Sequence, residues 1–162
     1  MEPAAALVAA HRTLDEIFAR FRELVVLGDG DGAAAVLGAY RALTDDHAAA
    51  EEAHLVPGRG AAARWPDELY LGQHRKLLAA IDRVAERLVG LTAGVPGWRR
   101  RVLAVLDAAA PLHHLAEHHH AAEEQDLFVT AAPAALAAVA ERFAAALAAQ
   151  AAILAEADER LG

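Results

Sequence analysis

The 162-residue chain contains no cysteine, which excludes disulfides, iron–sulfur clusters, thiolate zinc sites and thiol catalysis. It lacks a basic surplus as well: its formal charge of -8 argues against a nucleic-acid surface, because phosphate binding needs clustered Lys and Arg. Met1-Glu2-Pro3-Ala4 has neither the basic region nor the apolar stretch of a signal peptide. No apolar run long enough to span a membrane is free of His, Asp, Glu or Arg. The Ala-rich last segment comes closest, and Glu141, Arg142 and Gln150 interrupt it. The expectation is a soluble cytoplasmic protein with no nucleic-acid or membrane partner. β-branched residues and strand-like alternation are also scarce, and aromatics are only 5%. Alanine, the best helix former, dominates the 56% hydrophobic content, so the chain reads as all-α.

Gly and Pro clusters divide it into five helical segments. The first runs from about Ala4 to Leu27 and ends at Gly28-Asp29-Gly30-Asp31-Gly32; the second runs to Val56 and stops at Pro57-Gly58-Arg59-Gly60. Trp65-Pro66-Asp67 opens the third, which ends near Leu91, and the fourth covers roughly Trp98 to Val129. Pro111 should kink or break the fourth. Pro133 opens the fifth, which reaches Leu161. Leu7, His11, Leu14, Phe18, Phe21 and Val25 fall at alternating steps of four and three. So do Tyr70, His74, Leu77, Ile81, Val84, Leu88 and Leu91. That spacing is the buried seam of an antiparallel bundle, and in both helices a histidine occupies it. The second helix continues the pattern with Val36, Tyr40, Leu43, His47, Ala50 and His54.

Two copies of one short pattern stand out, one in each half of the chain: His47-x3-Glu51-Glu52-x2-Leu55 and His119-x3-Glu123-Glu124-x2-Leu127. Four residues along a helix advance about 6 Å and rotate about 40°, so each His and its Glu share a face. With the seam histidines, each half of the chain offers His, then His-x3-Glu: His11, His47 and Glu51, then His74, His119 and Glu123. Four imidazoles and two carboxylates converging in a core suit two borderline metal ions, iron first, with manganese or zinc as alternatives. Each ion would take two His, both Glu would bridge, and open positions would remain for oxygen, water or peroxide. His54 is read as solvated or supporting, and so are Glu52 and Glu124. His113, His114, His118 and His120 cannot all face inward, since neighbours differ by about 100° around a helix.

This arrangement resembles the hemerythrin-like HHE cation-binding domains. The likeness covers roughly Ala5 to Val129, and Leu55-Val56-Pro57 and Leu127-Phe128-Val129 resemble the apolar ending of that family's metal motifs. The resemblance implies an antiparallel up-down four-helix bundle over residues 1–130. Outside it, Leu136, Val139, Phe143, Leu147 and Leu154 fall along one face of the last segment, so residues 131–162 read as an added amphipathic helix on the bundle or on a partner subunit. The resemblance further implies two iron ions in an oxo- or hydroxo-bridged di-iron centre that binds oxygen, peroxide or nitric oxide, as a sensor or in stress protection. One departure matters: oxygen-carrying hemerythrins have His-x3-His in the third helix, whereas His74 is followed at that spacing by Leu78. Two other readings fit part of the pattern. Glu51-x2-His54 and Glu117-x2-His120 have the spacing of a ferritin-like di-iron oxidase, and a metal buffer or iron-responsive interaction module needs the same ligands without catalysis. Nothing in the pattern sets an oligomeric state or decides whether the chain is an enzyme.

Overall fold

The computed structural model describes residues 2–57, 59 and 62–162. The protein is an all-helical bundle: α1 (Pro3–Leu27), α2 (Gly30–His54), α3 (Asp67–Leu88), α4 (Trp98–Ala122) and α5 (Pro133–Leu161). Between α4 and α5 the chain passes through a π-helical turn, Glu123–Leu127, and a short helical turn, Phe128–Thr130. The described residues contain no strand, only an isolated bridge between Asp29 and Thr92. The turn expected at Pro57-Gly58-Arg59-Gly60 lies partly outside the described residues.

The α1–α2 connection is short because its residues are suited to it. Gly28 takes a left-handed conformation at φ 74°, which costs glycine little. Its N–H donates to Val25 O and that of Asp29 to Leu24 O, which satisfies two of the carbonyls a helix end leaves open. Asp29 then caps α2 by accepting from the Gly32 N–H at 2.9 Å, an interaction of about 1 kcal/mol. The second hairpin docks on this turn, with Ala93 N–H donating to Gly28 O.

Helix α1 packs on α2, α2 on α3, α3 on α4 and α4 on α1. The seam residues of α1 and α3 are buried throughout, while in α2 the seam holds as far as Ala50 and His54 is exposed. Each fully buried Leu or Phe contributes about 1.5–3 kcal/mol. Two apolar clusters result. The larger joins Phe18, Phe21, Leu43 and Ile81 with Val105; the smaller joins Leu7, Tyr70 and Leu127 with Phe128.

Helix α5 lies along α1 and α2, burying Leu136, Val139, Phe143 and Ala157. Ion pairs fix its register: Arg142 with Asp46 of α2, Asp158 with Arg20 of α1, and Arg160 with Asp29. By length and composition α5 is the one helix among the described residues that could span a membrane, though one face packs on the bundle.

Pro111 does not break α4. The helix runs through it from Trp98 to Ala122, and the irregularity falls at the π-turn instead. The Asp29–Thr92 bridge also sets the depth of the histidines. His11 and His47 are equidistant along the chain from Asp29, one before it and one after, and His74 precedes Thr92 by the same separation. The longer α3–α4 connection takes up the remaining offset of His119.

The close approach of the two connections is tightest at Gly30, where a Cβ would sit 2.1 Å from Leu91 O. We expect Gly30→Ala to lower stability by about 1–3 kcal/mol in denaturant unfolding. Gly38→Ala in α2, where a Cβ meets nothing within 4 Å, should instead raise it by about 0.5–1 kcal/mol. Equal midpoints for the two variants would show that the connections do not pack as described.

Candidate metal centre

Two groups of buried side chains meet between α1, α2, α3 and the C-terminal end of α4. His11, His47, Glu51 and Glu123 form one, and Glu51, His74, His119 and Glu123 the other; within each, the potential ligand atoms lie within 4.8 Å of one another. All six sequence-derived candidates are therefore brought together, and Glu51 and Glu123 belong to both groups. Glu51 Oε1 lies 3.3 Å from His47 Nε2, and its Oε2 lies 3.4 Å from His74 Nε2. Glu123 Oε2 lies 3.2 Å from His11 Nε2, while its Oε1 lies 2.8 Å from His119 Nε2 and 3.3 Å from that of His74. Each carboxylate thus offers one oxygen to each half of the cluster.

Local structure sets these positions. In α2 the Glu51 carbonyl accepts from both Leu55 N–H and Val56 N–H, so the helix widens just after its glutamate. In α4 the same step becomes the full π-turn, with Phe128 N–H donating to the Glu123 carbonyl. Single π-turns inside α-helices are frequent at functional sites, and here one begins at a candidate ligand. The widening is anchored by Asp126, which is buried and accepts from Tyr70 Oη at 2.8 Å, Arg59 Nη1 at 2.7 Å and Arg64 N–H at 2.7 Å. Tyr70 is thus committed to Asp126.

Outer partners fix the imidazoles. Glu124 Oε1 accepts from His11 Nδ1 at 2.9 Å, Glu52 Oε1 from His74 Nδ1 at 2.8 Å, and Gln73 Oε1 from His119 Nδ1 at 3.0 Å. In the neutral ring the proton then sits on Nδ1 and Nε2 presents its lone pair to the centre, the tautomer a metal ligand needs. The second glutamate of each doubled pair therefore supports the histidine contributed by the other half of the chain. Phe128 stacks on His11 at 5.3 Å, and Phe143 of α5 meets His47 edge-on at 5.5 Å.

The electrostatics call for a cation. Glu51 and Glu123 are fully buried, and both Glu51 oxygens and Glu123 Oε2 have no hydrogen-bond donor. Burial, and then the charge of Glu123, push the Glu51 carboxyl well above the usual carboxylate range. Burial opposes ionisation of Glu123 too, but the surrounding His119, His11 and His74 hold it well below that range. Burial disfavours the charged form of His11, yet Glu123, Glu51 and Glu124 raise it to about 9. Glu123 and Glu51 likewise raise His74 to about 10 against burial. Burial and the neighbouring His11 lower His47 to about 3. Without a metal, the cluster is neutralised by protons, on Glu51 itself and on the histidines around Glu123; a divalent ion would do so while using the lone pairs directly. The donor set of imidazole nitrogen and carboxylate oxygen, without thiolate, fits iron, manganese or zinc better than calcium or magnesium.

The remaining candidates separate clearly. His54 is exposed, and so is Glu117, so each Glu-x2-His pair leaves one member in solvent. Tyr40 is buried on α2, with burial raising its hydroxyl. His120 is buried and stacks on His11 with centroids 4.0 Å apart. Gln73 and His120 carry no periodic signal of their own, and Phe143 falls on the apolar stripe of the last helix, which marks its burial but not its contact with His47; the doubled Glu is the one sequence sign of polar outer partners. Comparison with protein-family models, curated proteins and solved structures finds no match for this chain.

Replacing Glu52 or Glu124 by Gln should weaken metal binding about 10–100-fold, while His113→Ala should leave it unchanged; equal affinities across all three variants would refute the outer-partner roles. Asp126 is held below its ordinary range: burial opposes ionisation, but Arg64 N–H, Tyr70 and Arg59 outweigh it. A depressed folded value means its stabilisation is present above the unfolded value of about 3.9 and is lost as pH falls through the lower one. Arg59 keeps Asp67 in the variant, so Asp126→Asn should cost about 1–3 kcal/mol at pH 7, and its stability gap to wild type should begin to narrow below about pH 4 and vanish only once the pH passes the lower folded value. A gap independent of pH would contradict the ion pair.

Proposed function

We propose that this chain is a hemerythrin-like non-haem di-iron protein that binds oxygen, peroxide or nitric oxide within an antiparallel up-down four-helix bundle. The observation that carries the reading is the pair of donor-poor buried carboxylates, each reaching both halves of a ring of four imidazoles. The cycle of packing from α1 through α4 and back to α1 supports the bundle arrangement. The residues that would hold the metals are His11, His47, Glu51, His74, His119 and Glu123. Bound iron supplies redox chemistry and coordination positions for a small ligand.

The chain's own residues do the rest. Glu124, Glu52 and Gln73 hold protons at Nδ1 of His11, His74 and His119 and keep each ring oriented. Phe128 and Phe143 wall the centre with apolar surface, which excludes water and strengthens every charge interaction inside. Leu78 stands where oxygen carriers of the resembling family place a fifth histidine. That departure favours sensing or peroxide and nitric oxide chemistry over reversible oxygen carriage.

A second reading, an iron-responsive module without catalysis, draws on the same buried carboxylates, since a bundle that must neutralise them gains stability from the metal. The two separate in one comparison. Iron-loaded protein should react with nitric oxide or hydrogen peroxide, seen as a change in its visible absorption, and His47→Ala or Glu123→Ala should abolish the change. Protein that takes up iron and gains thermal stability but leaves both reagents untouched would establish the module reading instead.

A further inference from the structure

Helix α4 carries histidines that the buried cluster does not use. His113 stacks on Phe18 with centroids 5.4 Å apart and planes 1° from parallel, and His120 lies against His11. His114 and His118 lie on a different, exposed face. They are one helical turn apart, and their Nε2 atoms approach to 3.1 Å, with ring planes 85° apart and centroids 4.3 Å apart. Glu117 Oε2 stands 3.8 Å from His114 Nδ1, so a carboxylate faces the ring nitrogen not used in the approach.

The separation of those nitrogens is informative. Two nitrogens each about 2.0–2.1 Å from one ion, at the angles of about 90–110° of square or tetrahedral coordination, lie about 2.9–3.4 Å apart. The exposed pair falls inside that window at 3.1 Å. The buried pair, His11 Nε2 and His47 Nε2, falls inside it as well, at 3.3 Å. A hydrogen bond between two neutral imidazoles also fits 3.1 Å, but in water it competes with solvation and contributes little. An ion chelated by both rings exchanges two of its own waters for two imidazoles, which borderline metals prefer, and residues at i and i+4 of a rigid helix need little reordering to hold it.

We propose that His114 and His118 form a second, solvent-facing site for a borderline divalent transition-metal ion, separate from the buried centre. Two imidazoles select copper, nickel or zinc over magnesium and calcium. The remaining coordination positions open to water, so ions exchange there readily. An ion held there ties together the turn of α4 between Pro111 and His119, the segment that leads into the buried ligands.

The test uses the full chain with its buried centre loaded with iron, titrated with Cu2+ in a non-coordinating buffer. Wild type should bind one Cu2+ at this pair, and the electron paramagnetic resonance spectrum should carry coupling to imidazole nitrogen. His114→Ala and His118→Gln should each weaken that binding at least about tenfold, the order of loss expected when one of two ligands is removed. His113→Ala should leave it unchanged. Because both residues are exposed, the variants should keep the wild-type circular dichroism. If the buried centre refuses iron, the readout becomes the difference in copper stoichiometry between wild type and the His114→Ala/His118→Gln double variant, which should still be one ion. Copper bound equally by wild type and double variant, or lost equally in His113→Ala, would overturn the assignment.

Discussion

Two carboxylates are buried against each other in the middle of this protein, and most of its unusual structure is organised around that fact. Glu51 and Glu123 are inaccessible to solvent, and three of their four oxygens have no donor. Burial of an unpaired carboxylate is among the most costly events in folding. A pair of them cannot persist as two bare charges. The chain answers with four imidazoles aimed inward, each bringing either a proton or, in our reading, a lone pair for a shared metal. The ring carries features of both answers: His11 and His74 gain protons readily, while Glu124, Glu52 and Gln73 keep Nδ1 occupied and leave Nε2 for the centre.

The scaffold meets the demand by departing from ideal helix where the glutamates sit. Glu51 shares its carbonyl between two amides at the end of α2, and Glu123 opens a π-turn at the end of α4. An uninterrupted helix would carry Asp126 at another angle. The extra residue turns it instead into the pocket where Arg59, Arg64 N–H and Tyr70 neutralise it. Helix α5 adds Phe143 against His47 and ties itself to α1 and α2 through Asp158 and Arg142. The fifth helix thus supports a cluster to which it contributes no ligand.

The helical class was legible from alanine content and seam spacing, because those patterns reflect local backbone preference and burial, which sequence carries directly. The six clustered residues were legible for the same reason: His-x3-Glu places two groups on one helical face, and a seam histidine must find a partner. Other features depend on contacts between distant segments. Gln73 meets His119 across a helix interface, and His120 owes its burial to the stacking partner that α1 supplies in His11. Pro111 leaves α4 intact because tertiary packing holds the helix on either side of one missing hydrogen bond. The true irregularity lies further on, at Glu123, where no proline or glycine marks it.

Whether the buried ring holds two metal ions per chain, one for each four-residue group, is tested most directly by elemental analysis of protein expressed with ample iron. Two irons per chain are expected. Iron-free protein that also refuses iron, manganese and zinc on reconstitution would contradict the two-metal centre and leave Glu51 and Glu123 compensated by protons alone.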